Sequence, residues 1–167
     1  QRVHPHLVPI DHPLAHTTGS LNAVVADGNF VGRLFFQGRG AGDGPTASAV
    51  VAALIDIARG EYGAPYAMPA AALTRPASAD AGDRRSRAYL RFAVVDKVGV
   101  LAEIAAAMRD AGVSIESLIQ RGASPDGHVL VAIVTHEGPE RSVAAALEKL
   151  RGSQSLTGDP MWMHILE

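Results

Sequence analysis

Four glycines, Gly38, Gly40, Gly42 and Gly44, stand just before Pro45 and an apolar run with the look of a helix. The first N–H groups of a helix lack intrahelical partners, and the helix dipole is positive there, so such a place attracts anions. Glycine also lets backbone approach a ligand with no Cβ in the way. The chemistry on offer is therefore the cradling of a phosphate or the edge of a cofactor ring. A P-loop would continue Gly-Lys-Ser/Thr. Here the chain reads Gly44–Pro45–Thr46, which argues against phosphate-gripping nucleotide hydrolysis. A dinucleotide fingerprint would run on through a helix into a second parallel strand. Here a proline-rich stretch follows the helix. On residue types alone two readings stay open. The loop faces a ligand, or it is a tight strand-to-helix crossing whose glycines only permit close packing.

Histidines form a second group. His4, His6, His12 and His16 fall in the first sixteen residues. A His-x-His pair can bind zinc when other ligands close the shell. Pro5, Pro9 and Pro13 make this stretch extended and no cysteine assists, so structural or surface histidines are expected and no metal site is assigned. Asp11 and Asp27 read as turn or surface residues, Arg84, Arg85 and Arg87 as a solvated linker. Trp162, Met161 and Met163 read as filling the faces of a final strand. No catalytic residue is assigned.

The elements that must position these residues divide the chain in three. In residues 1–60, "LNAVVADGNFVGRLFFQG" reads as two strands about an Asp27–Gly28–Asn29 turn, and "PTASAVVAALIDIARG" as a helix. Pro45 suits its first position and Gly60 its stop. Val50, Val51, Leu54, Ile55 and Ile57 occupy so much of its circumference that the helix needs burial on more than one side, which points to partner surface beyond these sixty residues. Residues 61–86, with Pro65, Pro69 and Pro76, read as a linker arm. Residues 87–167 return to clean periodicity. Ala88, Leu90, Phe92 and Val94 share one strand face. Leu101, Ile104, Ala105 and Met108 make a helical stripe that stops at Gly112. "VSIESLIQR" and "HVLVAIVTHE" read as a hairpin about "SPDG". Pro139 opens a second helix with Val143, Ala146, Leu147 and Leu150 on one face, and "MWMHILE" is a last strand. The order strand–helix–strand–strand–helix–strand predicts a ferredoxin-like βαββαβ domain with both helices on one sheet face. The fold class is thus α+β.

Bulk properties narrow the partners. The 167 residues are 47% hydrophobic, enough to bury a core, and the net charge is −2. Residues 1–80 carry five Lys/Arg against six Asp/Glu, and the remainder ten against eleven. Neither part forms a basic patch, which argues against nucleic acid and anionic membrane as partners. No apolar run reaches the roughly 20 residues that span a bilayer. With no cysteine there is no disulfide framework or thiolate metal site. No secretory signal is visible, and a cytoplasmic location is expected. The first residue is Gln1 rather than Met, as in a fragment or a processed product.

The run "HPLAHTTGSLNAVVADGNFVGRLFFQGRGAGDGPTASAVVAALIDIAR" resembles the end of the catalytic region of homoserine dehydrogenases, above all in "GxGAGxxPTASAV". That resemblance covers about residues 1–60. It implies that the loop passes the nicotinamide end of NAD or NADP, with Gly40, Ala41 and Gly42 lining the cofactor and Thr46 capping or packing the helix start. It also implies an upstream nucleotide-binding domain and a catalytic lysine. Only Lys97 and Lys149 are present, both within the C-terminal region 87–167, so the chain alone is expected to be inactive.

"YLRFAVVDKVGVLAEIAAAMRDAGVSIESLIQR" resembles ACT domains, the amino-acid-sensing modules of metabolic enzymes, over about residues 86–167. Val98 stands where many relatives have proline. By this resemblance Asp96, Gly99, Val100, Leu101 and Gln120 surround an effector. Free N–H groups near Gly99 would meet a carboxylate. Asp96 would attract the ammonium group or cap the helix. Gln120 would reach the effector across a dimer interface or be a plain exposed strand residue. The tandem implies a feedback-regulated homoserine dehydrogenase with threonine as effector and pairing through the ACT domains. The alternative is a non-catalytic amino-acid-binding or dimerisation module.

Overall fold

The computed structural model describes residues 3–61, 68–122 and 128–166. Its elements are β1 (His6–Leu7), β2 (Leu21–Gly28), β3 (Gly32–Arg39), α1 (Asp43–Arg59), β4 (Arg85–Ser86), β5 (Ala88–Val95), α2 (Val100–Asp110), β6 (Ile115–Arg121), β7 (His128–Thr135), β8 (Gly138–Pro139), α3 (Glu140–Leu150) and β9 (Met161–Ile165). They fall into two compact units, residues 10–78 and residues 3–9 with 79–166.

In the larger unit, β9, β5, β7 and β6 lie in that order, the ferredoxin-like arrangement predicted from the element sequence. β5 pairs antiparallel with both β7 and β9, as β6 does with β7. A bulge falls between Ile115 and Ser117. Alternation along β5 buries Ala88, Leu90, Phe92 and Val94, the predicted face. Val129, Val131 and Ile133 of β7 join them under the two helices. α3 contributes Val143, Ala146 and Leu150 as expected, with Leu147 partly buried. α2 is rotated from the predicted stripe. Its buried residues are Val100, Ile104, Ala107 and Met108, while Leu101 and Ala105 face solvent. Val100 at the helix start was not counted in the stripe, and its burial turns the face. Gly112, at φ 72°, follows the end of α2, and the N–H of Val113 returns to Met108 O at 2.9 Å. The "SPDG" turn lies outside the described residues.

Two segments read from sequence as part of the first, dehydrogenase-like region and as part of the linker arm join this unit. β1 adds a fifth, parallel strand beside β9, with His6 opposite His164. Residues 79–86 form a short turn of helix at Ala81–Asp83, which packs on α3, and β4, which pairs with β8. The three arginines are ion-paired rather than simply solvated. Arg85 meets Glu137 at 2.9 Å, Arg87 meets Glu116 at 2.5 Å, and Arg84 reaches Glu140 at 3.7 Å.

Residues 10–78 form an antiparallel hairpin, β2 with β3, then α1. The ladder runs through Asp27 and Gly28, so the turn sits at residues 29–31, later than expected, with Gly32 at φ 74°. Arg33 and Asp27 close it with a 2.9 Å ion pair. α1 starts at Asp43, which puts Pro45 third rather than first. The N–H groups of the first turn have no intrahelical acceptor, so proline costs nothing there. Gly60 ends the helix in the left-handed conformation, as predicted. None of the seventeen residues of α1 is buried, and all of β3 is exposed.

Candidate functional site

The loop after β5 and the start of α2 carry Asp96, Gly99, Val100 and Leu101, four of the five residues expected to surround an effector. β5 ends at Val95, and the Lys97 N–H turns back onto Val95 O at 3.0 Å. Gly99 stands at the N-terminus of α2 with φ 96°, a conformation that side chains with a Cβ rarely adopt. No side chain caps this helix, so Asp96 is not its cap. The N–H groups of the first turn are left without intrahelical acceptors. A hollow of about 200 Å³ opens here, lined by Val94, Val95, Asp96, Lys97, Val98, Gly99, Val100, Leu101, Gln120 and Val131. Asp96, Gly99, Val100, Leu101 and Gln120 thus come together around one cavity. Gln120 arrives from β6 by its register opposite Val131. Lys97 and Val131 were not predicted. Lys97 was in the quoted motif, whereas Val131 enters only through strand pairing. The hollow combines a carboxylate, an ammonium group, an amide and free N–H groups over an apolar floor. That set matches the two charged ends of an amino acid.

The glycine loop lies in the other unit. Gly42 precedes α1 at φ 122°, outside the comfortable range of a chiral residue, and its carbonyl accepts from the Thr46 N–H at 3.1 Å. No side chain caps α1, so Thr46 serves the helix start through its backbone. A Cβ on Gly40 would collide with the Asn22 side-chain amide. The Gly44 N–H is taken by Asp43 Oδ1 at 2.7 Å. Gly40, Ala41 and Gly42 are exposed. Bare backbone of this kind fits the edge of a planar ring.

A third cluster was only half legible. His4 and His6 stack at 4.4 Å, and His4 lies 4.7 Å from the His164 ring. Arg84 donates to His4 Nε2 at 3.4 Å and to His6 Nε2 at 3.2 Å. His6 Nδ1 lies 3.2 Å from His4 O, a geometry in which an Nδ1–H would donate to that carbonyl and leave Nε2 to accept from Arg84. His164 is buried, with Ser86 Oγ 3.1 Å from Nδ1 and Glu140 Oε1 3.7 Å from Nε2. Desolvation pushes its pKa below the usual value. Glu140 opposes that shift, and His4, Arg84 and His6 reinforce it. The His-x-His pair was the visible signal, but its partners come from distant sequence. His12 instead accepts from the Leu14 N–H at 3.2 Å. Among the described residues no group of His and carboxylates is arranged to hold a metal ion. No described helix is long and apolar enough to cross a membrane.

The homoserine dehydrogenase family model matches residues 1–55, and the ACT domain model matches residues 88–152. The chain is thus similar to homoserine dehydrogenases in its first part and to ACT domains in its last. A homoserine dehydrogenase of Corynebacterium glutamicum is 37% identical over 150 residues, covering 90% of this chain and 33% of that protein. One from Synechocystis is 36% identical over 171 residues, covering 99% of this chain and 39% of its own length. The crystal structure of a homoserine dehydrogenase from Thiobacillus denitrificans superposes with a TM-score of 0.85 at 32% identity, over 99% of this chain and 38% of that one. The chain therefore spans well under half the length of these relatives. The likeness extends through the dehydrogenase-like unit and the ACT domain alike.

Proposed function

We propose that the chain is the C-terminal part of an NAD(P)-dependent homoserine dehydrogenase, which interconverts L-homoserine and L-aspartate 4-semialdehyde by hydride transfer. Its ACT domain senses threonine for feedback inhibition of threonine and methionine synthesis in the cytoplasm. The observation that carries the sensing role is the hollow at Asp96, Gly99, Val100, Leu101 and Gln120. The effector carboxylate meets the first N–H groups of α2 and the Lys97 ammonium, and Asp96 meets the effector ammonium. β6 is an edge strand of the sheet, with Leu118 and Ile119 exposed. Two ACT domains pair along it, which brings Gln120 to the partner's effector.

In the dehydrogenase role, Gly40, Ala41 and Gly42 hold the nicotinamide edge through their main chain. The cofactor supplies the hydride chemistry, and these residues only position and shield it. The parts of the site that bind the rest of the nucleotide and move the substrate proton come from elsewhere in the enzyme. The chain alone is accordingly expected to show no turnover.

Calorimetric titration of the chain with L-threonine, against L-serine, L-isoleucine and L-methionine, tests the sensing role. Selective threonine binding supports it. A folded chain that binds none of the four leaves the ACT domain as an assembly module. For the cofactor role, Gly40→Val in the full-length enzyme is expected to raise KM for the nucleotide more than KM for homoserine.

A further inference from the structure

β1 is short. It is two residues long, its ladder pairs His6 with His164 and Leu7 with Ile165, and the Leu166 N–H donates to Leu7 O at 2.9 Å. The histidine cluster adds side-chain contacts to that short ladder. His6 sits opposite His164 in the register, and the rings of His4 and His6 lie 4.7 and 5.6 Å from that of His164. Three imidazoles and one guanidinium thus share one small volume, and the network closes only while the rings can accept from Arg84. A proton on Nε2 of His4 or His6 removes that acceptor and sets a cation against Arg84. A proton on His164 places a charge in a buried site beneath β1.

Among the described residues, the charged or titratable groups facing His164 are Glu140 from α3, Arg84 from the segment before β4, and His4 and His6 from β1 and the residue pair before it. Glu140 favours a proton on His164. Arg84 and the other two histidines oppose it, as does burial. Undocking β1 would expose all three rings to water and relieve the opposition.

We propose that β1 is an acid-released strap, in which proton uptake by His4, His6 and His164 and docking of β1 on β9 exclude one another. At neutral pH the strap is closed. As pH falls through the histidine range it opens, while the ACT core beneath stays folded. Because β1 runs directly into residues 10–78, opening frees the chain at that junction. This inference does not depend on threonine sensing or on the cofactor role.

Amide hydrogen exchange of the whole chain at about pH 7.5 and about pH 5.5, corrected for intrinsic rates, reads the strap directly. Protection of residues 6–8 and of Leu166 is expected to fall about tenfold or more at the lower pH, well beyond any fall in β5 and β7. His4→Asn with His6→Asn keeps an acceptor for Arg84 but cannot titrate, and should flatten the response. Equal protection of wild type at both pH values overturns the proposal. So does loss of β5 and β7 together with β1, or an undiminished response in the double variant. If the double variant fails to dock β1 at all, a wild-type NMR titration decides. The β1 amides must then move with the midpoint of at least one of the three histidine rings, and a separation of about one pH unit or more from all of them overturns the strap.

Discussion

Leu54, in the middle of α1, is 59% exposed, whereas Phe92, in the middle of β5, is 0% exposed. Both are large apolar residues at the centre of a regular element. In the ACT unit, two helices close over one face of a sheet, and every large apolar residue of that face finds neighbours. In residues 10–78 the same residue types build a hairpin and a helix whose apolar surface stays open, including Phe36, Val50 and Ile57. Monomeric surfaces rarely leave contiguous apolar patches of this kind uncovered. The ACT unit carries its own closed core. The dehydrogenase-like unit is well formed locally and leaves its large apolar residues exposed. In the proposed parent enzyme, the rest of the dehydrogenase covers them.

The largest effect expected from this contrast is on stability. Phe92→Ala should destabilise the ACT unit by about 3–5 kcal/mol, because it leaves a cavity in a closed core. Leu54→Ala should change stability by less than about 0.5 kcal/mol. Urea denaturation followed by the fluorescence of Trp162, the one tryptophan, checks the first, since that ring packs against the ACT core, and the far-ultraviolet circular dichroism of the same titration, which includes α1, checks the second. A large loss from Leu54→Ala would show that α1 is already buried in the isolated chain and would end the contrast.

Ligand binding comes next. Gln120→Ala should weaken threonine about tenfold, the factor that accompanies 1.4 kcal/mol, without moving the unfolding midpoint, since Gln120 is exposed. Gly99→Val should abolish binding and also cost some stability, because a β-branched residue is strained at positive φ. Calorimetry with denaturation of each variant separates these cases.

A smaller effect follows from His164. Its pKa is lowered in the folded state, first by desolvation. Between the folded and unfolded values the unfolded chain binds more protons, so stability rises with pH there. The contribution is complete above about pH 6.5 and is lost as pH falls through the lower folded value. The urea midpoint of the ACT unit should drop on acidification, and His164→Gln should reduce that drop. An unchanged midpoint in wild type would contradict this reading. The smallest effect is at the surface. Glu148→Gln removes the exposed 3.1 Å pair with Arg151 and should alter stability by less than about 0.5 kcal/mol.

Legibility followed the same contrast. In the ACT unit, period-two and helical patterns identified β5, β7, α3 and the element order, because those patterns are written by burial against a core within the chain. The α2 face was displaced because Val100, a loop residue by motif, becomes the first buried position of the helix. The predicted effector residues were local in sequence except Gln120, and the hollow unites them. The histidine cluster was missed because His4, Arg84, Glu140 and His164 share no local pattern. Only the parallel pairing of β1 with β9 brings them together.

What the amino-acid sequence determined by itself is the set of local elements, the glycines that permit positive φ at residues 42, 60, 99 and 112, and the family likeness of each part. These depend on backbone sterics and on short-range periodicity, which any window of the chain carries. What only the tertiary structure decided is the docking of β1 on the far edge of the sheet, the ion-pairing of the linker arginines, and the joining of Gln120 and Val131 to the Asp96–Leu101 loop. Those depend on strand register between distant segments, and register is set by the packing of the whole sheet rather than by any one stretch of sequence.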